Sequence, residues 1–125
     1  MITITPAEIS KFRAALQDND EALEAIDIVE NCDGNLEESM NIVMNMDNPD
    51  RSDDDWIDIE NFVKEFHNII CNPKLRKLLS DEDFLLAFGY FLGNIQSYSV
   101  AIKIILFLFV VKKGIDHFCP SKKSS

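Results

Sequence analysis

Apolar residues recur along this chain at the three- and four-residue spacing of helices, in blocks divided by short polar breaks. Ile9, Phe12, Ala15 and Leu16 make the first block. Thr5 is placed to cap it, Pro6 suits the first helical position and Glu8 completes a capping box, which predicts a helix over about residues 6–17. The "DND" at 18–20 breaks that helix and caps a second, whose apolar face is Ala22, Leu23, Ile26 and Val29 and which ends near Asn31. Gly34 then supplies a left-handed residue, and Asn35 caps a third helix. Leu36, Met40, Val43 and Met44 share one side of it, with Glu37 and Glu38 near its positive N-terminal end.

Beyond residue 46 the periodicity lapses. "DNPDRSDDD", over 47–55, reads as an exposed acidic linker, because Pro49 interrupts a helix and the aspartates repel one another. Trp56, Ile59, Phe62, Val63, Phe66, Ile69 and Ile70 predict one long amphipathic helix, stopped by Asn72 and Pro73. A short helical turn, "KLRKLL", follows. Ser80 with Asp83 then forms a second capping box, opening a helix that bears Phe84, Leu85, Phe88, Phe91 and Leu92. Gly89 and Gly93 line one side of that helix, a spacing that lets another backbone come close.

The run "VAIKIILFLFVV" at 100–111 is polar only at Lys103. Its β-branched residues would also suit a strand, but no partner strands accompany it. A bilayer crossing takes about 20 apolar residues, and extending this run back to Tyr98 gives only fourteen. The expectation is a helix buried at the centre of a bundle. Four Gly and four Pro are too few for an all-β chain that turns every ten residues or so, and the fold class is all-α. Four segments are expected: a three-helix unit at 1–46, the linker at 47–55, a helical bundle at 56–118 and a disordered tail at 119–125.

Charge divides the chain unevenly. Residues 1–55 hold three basic and fifteen acidic side chains, a net −12, whereas 56–125 hold nine and seven, a net +2. An acidic front repels phosphate, so nucleic acid is not an expected partner, and the front would suit a basic protein surface. The small basic cluster Lys74, Arg76 and Lys77 is expected to answer the acidic front helices within the molecule.

Candidate chemistry is sparse. The aspartate-rich segment lacks the Gly and the ligand spacing of a calcium loop. His67 with Cys71, and His117 with Cys119, could together offer a Cys₂His₂ set to zinc, but buried free thiols are the simpler account. The three cysteines are widely spaced and no signal-peptide layout opens the chain, which suits a reducing, cytoplasmic setting. No phosphate loop, no His-Glu-x-x-His and no glycine-rich oxyanion turn occurs. No catalytic residue, metal or cofactor is therefore expected, and the protein is read as not an enzyme.

One stretch carries a family resemblance. "IVENCDGNLEESMNIV", residues 28–43, resembles the second turn and third helix of a ubiquitin-associated (UBA-like) three-helix domain. Gly34, Asn35, Leu36, Glu37 and Ser39 hold the places of that family's Gly-Asn turn, apolar, acidic and small positions. With the first helix included the likeness covers about residues 5–45. It implies a three-helix module that binds ubiquitin or other protein surfaces. Ubiquitin-binding members carry a Met-Gly-Phe/Tyr turn between their first two helices, whereas residues 17–20 here read "QDND", which argues against ubiquitin.

The sequence thus reads as a non-catalytic adaptor or regulatory interaction module. Leu36, Met40, Met44, Met46 and Trp56 are its candidate contact residues, with Met44 and Met46 expected at the surface. Its halves would pack together or pair with a second copy. The alternative is a small membrane-associated protein anchored by residues 98–113, which the length of the apolar run disfavours.

Overall fold

Helix α1 (Pro6–Ala15) begins where its capping box sets it. Thr5 Oγ1 accepts from the Glu8 amide at 3.2 Å, and Glu8 Oε1 accepts from the Thr5 amide at 2.9 Å. A computed structural model describes residues 2–51 and 56–119 of the chain. Asn19 caps α2 (Asp20–Asn31) through the Ala22 amide, and Asn35 caps α3 (Leu36–Asp47) through the Glu38 amide, each at 3.0 Å. The front half therefore follows its local signals closely.

The turn between α2 and α3 does more than reverse the chain. Gly34 has φ +82°, and a Cβ there would stand 2.1 Å from the Ile4 carbonyl oxygen. Ile4 N donates to Gly34 O at 2.8 Å and Leu36 N donates to Ile2 O at 3.2 Å. Segment 2–4 thus lies antiparallel along the turn, with an isolated bridge between Thr3 and Asn35. Ile4 is buried by this seating. Ser39 is buried as well, its Oγ donating to the Asn35 carbonyl at 2.7 Å, so the small residue after the turn faces inward.

The rear half departs from the expected pattern in three places. The helix expected from Trp56 starts later, as α4 (Ile59–Val63), capped by Asp58 through the Glu60 amide at 3.0 Å. It tightens into a 3₁₀ turn at Lys64–Phe66 before α5 (His67–Ile70). The delay has a cause in α3. Asn41 and Glu37 take up the backbone of Ile57 and Ile59, keeping residues 56–58 out of the helix. Asn72 caps α6 (Pro73–Ser80), so Ser80 closes that helix and does not open the next. Glu82 turns the chain at φ +55°, and Asp83 alone caps α7 (Phe84–Asn94), accepting from the Leu86 amide at 3.2 Å. Gly89 and Gly93 approach no other backbone. Nothing lies within 4 Å of either Cβ position, because α7 packs through its opposite face of Ala87, Phe88 and Phe91.

Helix α8 (Val100–Lys113) is the apolar run, and it occupies the centre. Ile102 and every residue over 104–110 are buried. It packs most extensively on α2 and α3, with α7 on another side. Ala22 and Ala25 of α2 are fully buried, and such small side chains let helix axes come close. Phe88 and Phe91 of α7 set their rings 5.4 and 5.8 Å from that of Phe107. One continuous hydrophobic core results, running from Ile4 to Cys119 and shared by front and rear helices. Among the described residues there are no strands, and no helix is long and apolar enough to cross a membrane.

Charge pairing ties the ends of the chain together. Lys112 Nζ reaches both carboxylate oxygens of Glu8, at 2.9 and 3.1 Å. The expected docking of the basic cluster on the acidic front does not occur. Arg76 pairs with Asp116, Lys77 pairs with Asp81, and Lys74 lies over the Tyr90 ring, all within the rear half. A short helix, α9 (Ile115–Phe118), follows the left-handed Gly114.

Candidate interaction surface

The five candidate contact residues separate into two groups. Leu36 and Met40 are completely buried and Met44 is only 5% exposed, so these three belong to the core beneath α8. Met44 was expected outside; its face of α3 is the one that α8 covers. Met46, at 64%, and Trp56, at 59%, stand in solvent. Sequence periodicity could have separated them, because Met40 and Met44 share the buried side with Leu36 while Met46 is half a turn away.

An outward stripe of α3 is thereby defined. Glu38, Ile42 and Met46 follow one another at intervals of four and are all exposed. Trp56 is brought to the same helix by its neighbour. Asn41 Nδ2 donates to the Ile57 carbonyl at 3.0 Å, and Ile57 N donates to Asn41 Oδ1 at 2.7 Å. Asn41 is almost fully buried and Ile57 half-buried, so the two bonds are largely shielded and costly to leave unmade. Glu37 Oε2 adds an acceptor for the Ile59 amide at 3.1 Å. Neither Asn41 nor Glu37 was singled out in the sequence as a site residue. An Asn on the inner side of an amphipathic helix was the available signal.

The surroundings are acidic. Between Arg13 and Arg51 the chain has no Lys, Arg or His. Arg13 holds Asp27 and Glu30, at 2.7 and 2.6 Å, and Ser99 Oγ donates to Asp47 at 2.7 Å. The Asp27 hydrogen bond, followed by that of Glu30, raises the Arg13 pKa. Asp20, Glu21, Glu24 and Glu38 are exposed and form no ion pair among the described residues.

A second constellation lies at the rear. Cys71, just after α5, and Cys119, just after α9, are joined as a disulfide across 48 residues. The expectation of free thiols is corrected for these two; Cys32 remains free. Cys119 is buried and bonded, so the chain stays fixed through residue 119, and the remainder of the expected tail lies outside the described residues. His67 Nε2 lies 3.5 Å from Cys71 Sγ, and His117 Nε2 lies 3.2 Å from Glu60 Oε1. The two imidazoles line one cavity of about 280 Å³ together with Glu60, Val63 and Phe118. Burial pushes the Glu60 carboxyl up, but hydrogen bonds from His117 and Lys113 outweigh it and leave the pKa lowered.

A larger cavity of about 440 Å³ opens between α1, the α6–α7 turn and the end of α8. Its floor is apolar, with Leu79, Phe84 and Val110, and its charged rim pairs internally through Lys11 with Glu82 and Arg76 with Asp116.

No protein-family model, curated protein or solved structure matches the chain.

Proposed function

We propose that this protein is a non-catalytic interaction module that docks a protein partner on the outward stripe of α3. The reading rests on one observation above the others: Ile42 and Met46 on α3, and Trp56 just ahead of the segment that α3 holds, are large apolar side chains left in solvent. Apolar anchors within a charged rim are the composition of protein-binding patches. The unpaired carboxylates of α2 and α3 favour a partner whose facing surface is basic. The UBA-like resemblance over residues 5–45 belongs to this reading, since that family serves as a binding module for ubiquitin or other protein surfaces, and the "QDND" turn argues against ubiquitin. A cytoplasmic location is part of the same proposal.

Anchoring by residues 98–113 would require α8 to leave the core it fills, and nothing here favours that alternative. Self-association has one supporting feature: Leu85 and Leu86 are exposed on α7 beside the open Gly89. Native mass spectrometry of the wild type against Leu85→Ser/Leu86→Ser separates it from the α3 reading.

The test of the main proposal is crosslinking in native lysate with the wild type and with an Ile42→Ser/Met46→Ser/Trp56→Ala variant. These positions are exposed, so the fold should survive, whereas deleting residues 1–46 would remove half the core around α8. A partner captured by the wild type and lost with the variant supports the proposal. A partner retained equally by both contradicts it.

A further inference from the structure

We propose that Cys71, Cys119, His67 and His117 form a zinc site that alternates with the disulfide, opening when that bond is reduced. With the disulfide closed, no group of three or more His, Cys, Asp or Glu among the described residues is arranged to hold a metal ion, and the two sulfurs are bonded to each other. Reduction changes the chemistry of the corner. A dithiol reductant gives two electrons and two protons to the Cys71–Cys119 bond, yielding two thiols and becoming a disulfide itself. Zinc then takes both sulfurs as thiolates and the two protons leave to solvent.

Three observations carry this. The four side chains come from segments far apart in sequence, α5 and the end of α9, yet both histidines line one cavity together with Ile70 and Phe118, the residues next to Cys71 and Cys119, and the two cysteines are joined. In a tetrahedral site with Zn–S about 2.3 Å and Zn–N about 2.0–2.1 Å, an N···S edge measures about 3.5 Å; His67 Nε2 and Cys71 Sγ already stand 3.5 Å apart. His117 engages the Glu60 carboxylate through Nε2, which leaves Nδ1 for a metal. A carboxylate on the far nitrogen is the usual orienting partner of a zinc-bound imidazole.

The adjustment needed is local. The sulfurs must part to about 3.8 Å, the S···S edge of such a tetrahedron. Cys119 rides on α9, a four-residue helix connected through Gly114, at φ +88° with nothing within 4 Å of its Cβ position. Phe118 packs on Phe109 of α8, ring centroids 5.7 Å apart, so the shift is a small pivot of the Cys119 end about Gly114 with that contact kept. Both histidines are exposed, which gives the ion a path in.

The experiment uses the full chain, either oxidised or reduced with a phosphine that does not compete for metal. Each form is given Zn²⁺ and examined by native mass spectrometry, and Co²⁺ is used in parallel to seek thiolate-to-metal charge-transfer absorption. One zinc per reduced chain, none on the oxidised chain, and the cobalt band in the reduced form alone are expected. His67→Ala and His117→Ala should each weaken zinc binding at least tenfold, and Glu60→Gln by about tenfold, as loss of an orienting carboxylate does. Absence of zinc from the reduced chain, equal zinc on both forms, or histidine variants with unchanged affinity would each overturn the proposal. Should a variant fail to fold by circular dichroism, the comparison of the two wild-type forms decides alone.

Discussion

Asn41 and Ile57 exchange two hydrogen bonds, one in each direction, across the boundary between the front and rear halves. A side-chain amide here satisfies both the N–H and the C=O of a residue that lies outside any helix. This clasp explains why α4 begins at Ile59 although the apolar spacing runs back to Trp56, and it fixes Trp56 beside α3.

Asn41→Leu removes both partners from Ile57 and leaves its polar groups facing an apolar side chain. Loss of about 2–3 kcal/mol of stability is expected in denaturant titration. Asn41→Asp keeps the acceptor for Ile57 N but sets a carboxylate oxygen against the Ile57 and Glu37 carbonyls, so it should regain stability as pH falls and the carboxyl becomes a donor, whereas Asn41→Leu should not. If the two variants responded alike to pH, the clasp would not be contributing as described.

Gly34→Ala and Gly114→Ala form a matched pair. Both glycines have positive φ, at +82° and +88°, but only Gly34 has a backbone atom in the way, the Ile4 carbonyl oxygen. Gly114→Ala should cost only the backbone strain of its positive φ, about 1–3 kcal/mol. Gly34→Ala should carry a comparable backbone strain and also displace segment 2–4, so its loss should be the larger. Thermal unfolding of the two variants side by side checks the order, and a smaller loss at Gly34 would contradict it.

Legibility in the sequence followed the range of the forces involved. Caps act over three residues, so Thr5 and Asn35 could be read directly, and the cap of α2, Asn19, falls within the 18–20 break. The burial of α8 was legible because a run apolar on every side has no surface to give to water. Ser80 misled because Ser-x-x-Asp has the right residues for a cap but Ser80 is still inside α6, and only the left-handed Glu82 marks the true break. The 3₁₀ turn at Lys64–Phe66 was hidden because three residues cannot distinguish a period of 3.0 from 3.6. The Asn41 clasp and the Cys71–Cys119 pairing depend on tertiary proximity, which spacing does not encode. The acidic front was visible as composition, and the half turn between Met44 and Met46 already carried their split into buried and exposed.

Acid should loosen the contact between α1 and the end of α8. Hydrogen bonding to the Thr5 amide, then to Lys112, lowers the Glu8 pKa below its ordinary 4.5. A carboxylate whose folded pKa is depressed contributes stability above the unfolded value, and that contribution disappears as pH falls through the folded one. The wild type should therefore lose more stability between about pH 7 and about pH 3 than Glu8→Gln, which keeps a capping acceptor but no charge. Parallel unfolding curves at the two pH values test this; an equal loss in both proteins would remove Glu8 from the account.

Core and surface phenylalanine and leucine positions should respond in opposite ways. Phe107 is fully buried between Phe88 and Phe91, and Phe107→Ala should cost about 3–5 kcal/mol. Leu85→Ser, on the exposed side of α7, should stay within about 0.5 kcal/mol. Chemical denaturation distinguishes the two outcomes.

Hydrogen exchange along α8 addresses the central claim most directly, that the apolar run is the shared core of front and rear helices, closed over by α2 and α3. Amides of residues 104–110 should be the slowest in the chain and should open together with α2 in one cooperative unit, unchanged by anionic or neutral lipid vesicles. Fast exchange of α8 in water, or protection of α8 that appears only with vesicles, would contradict it.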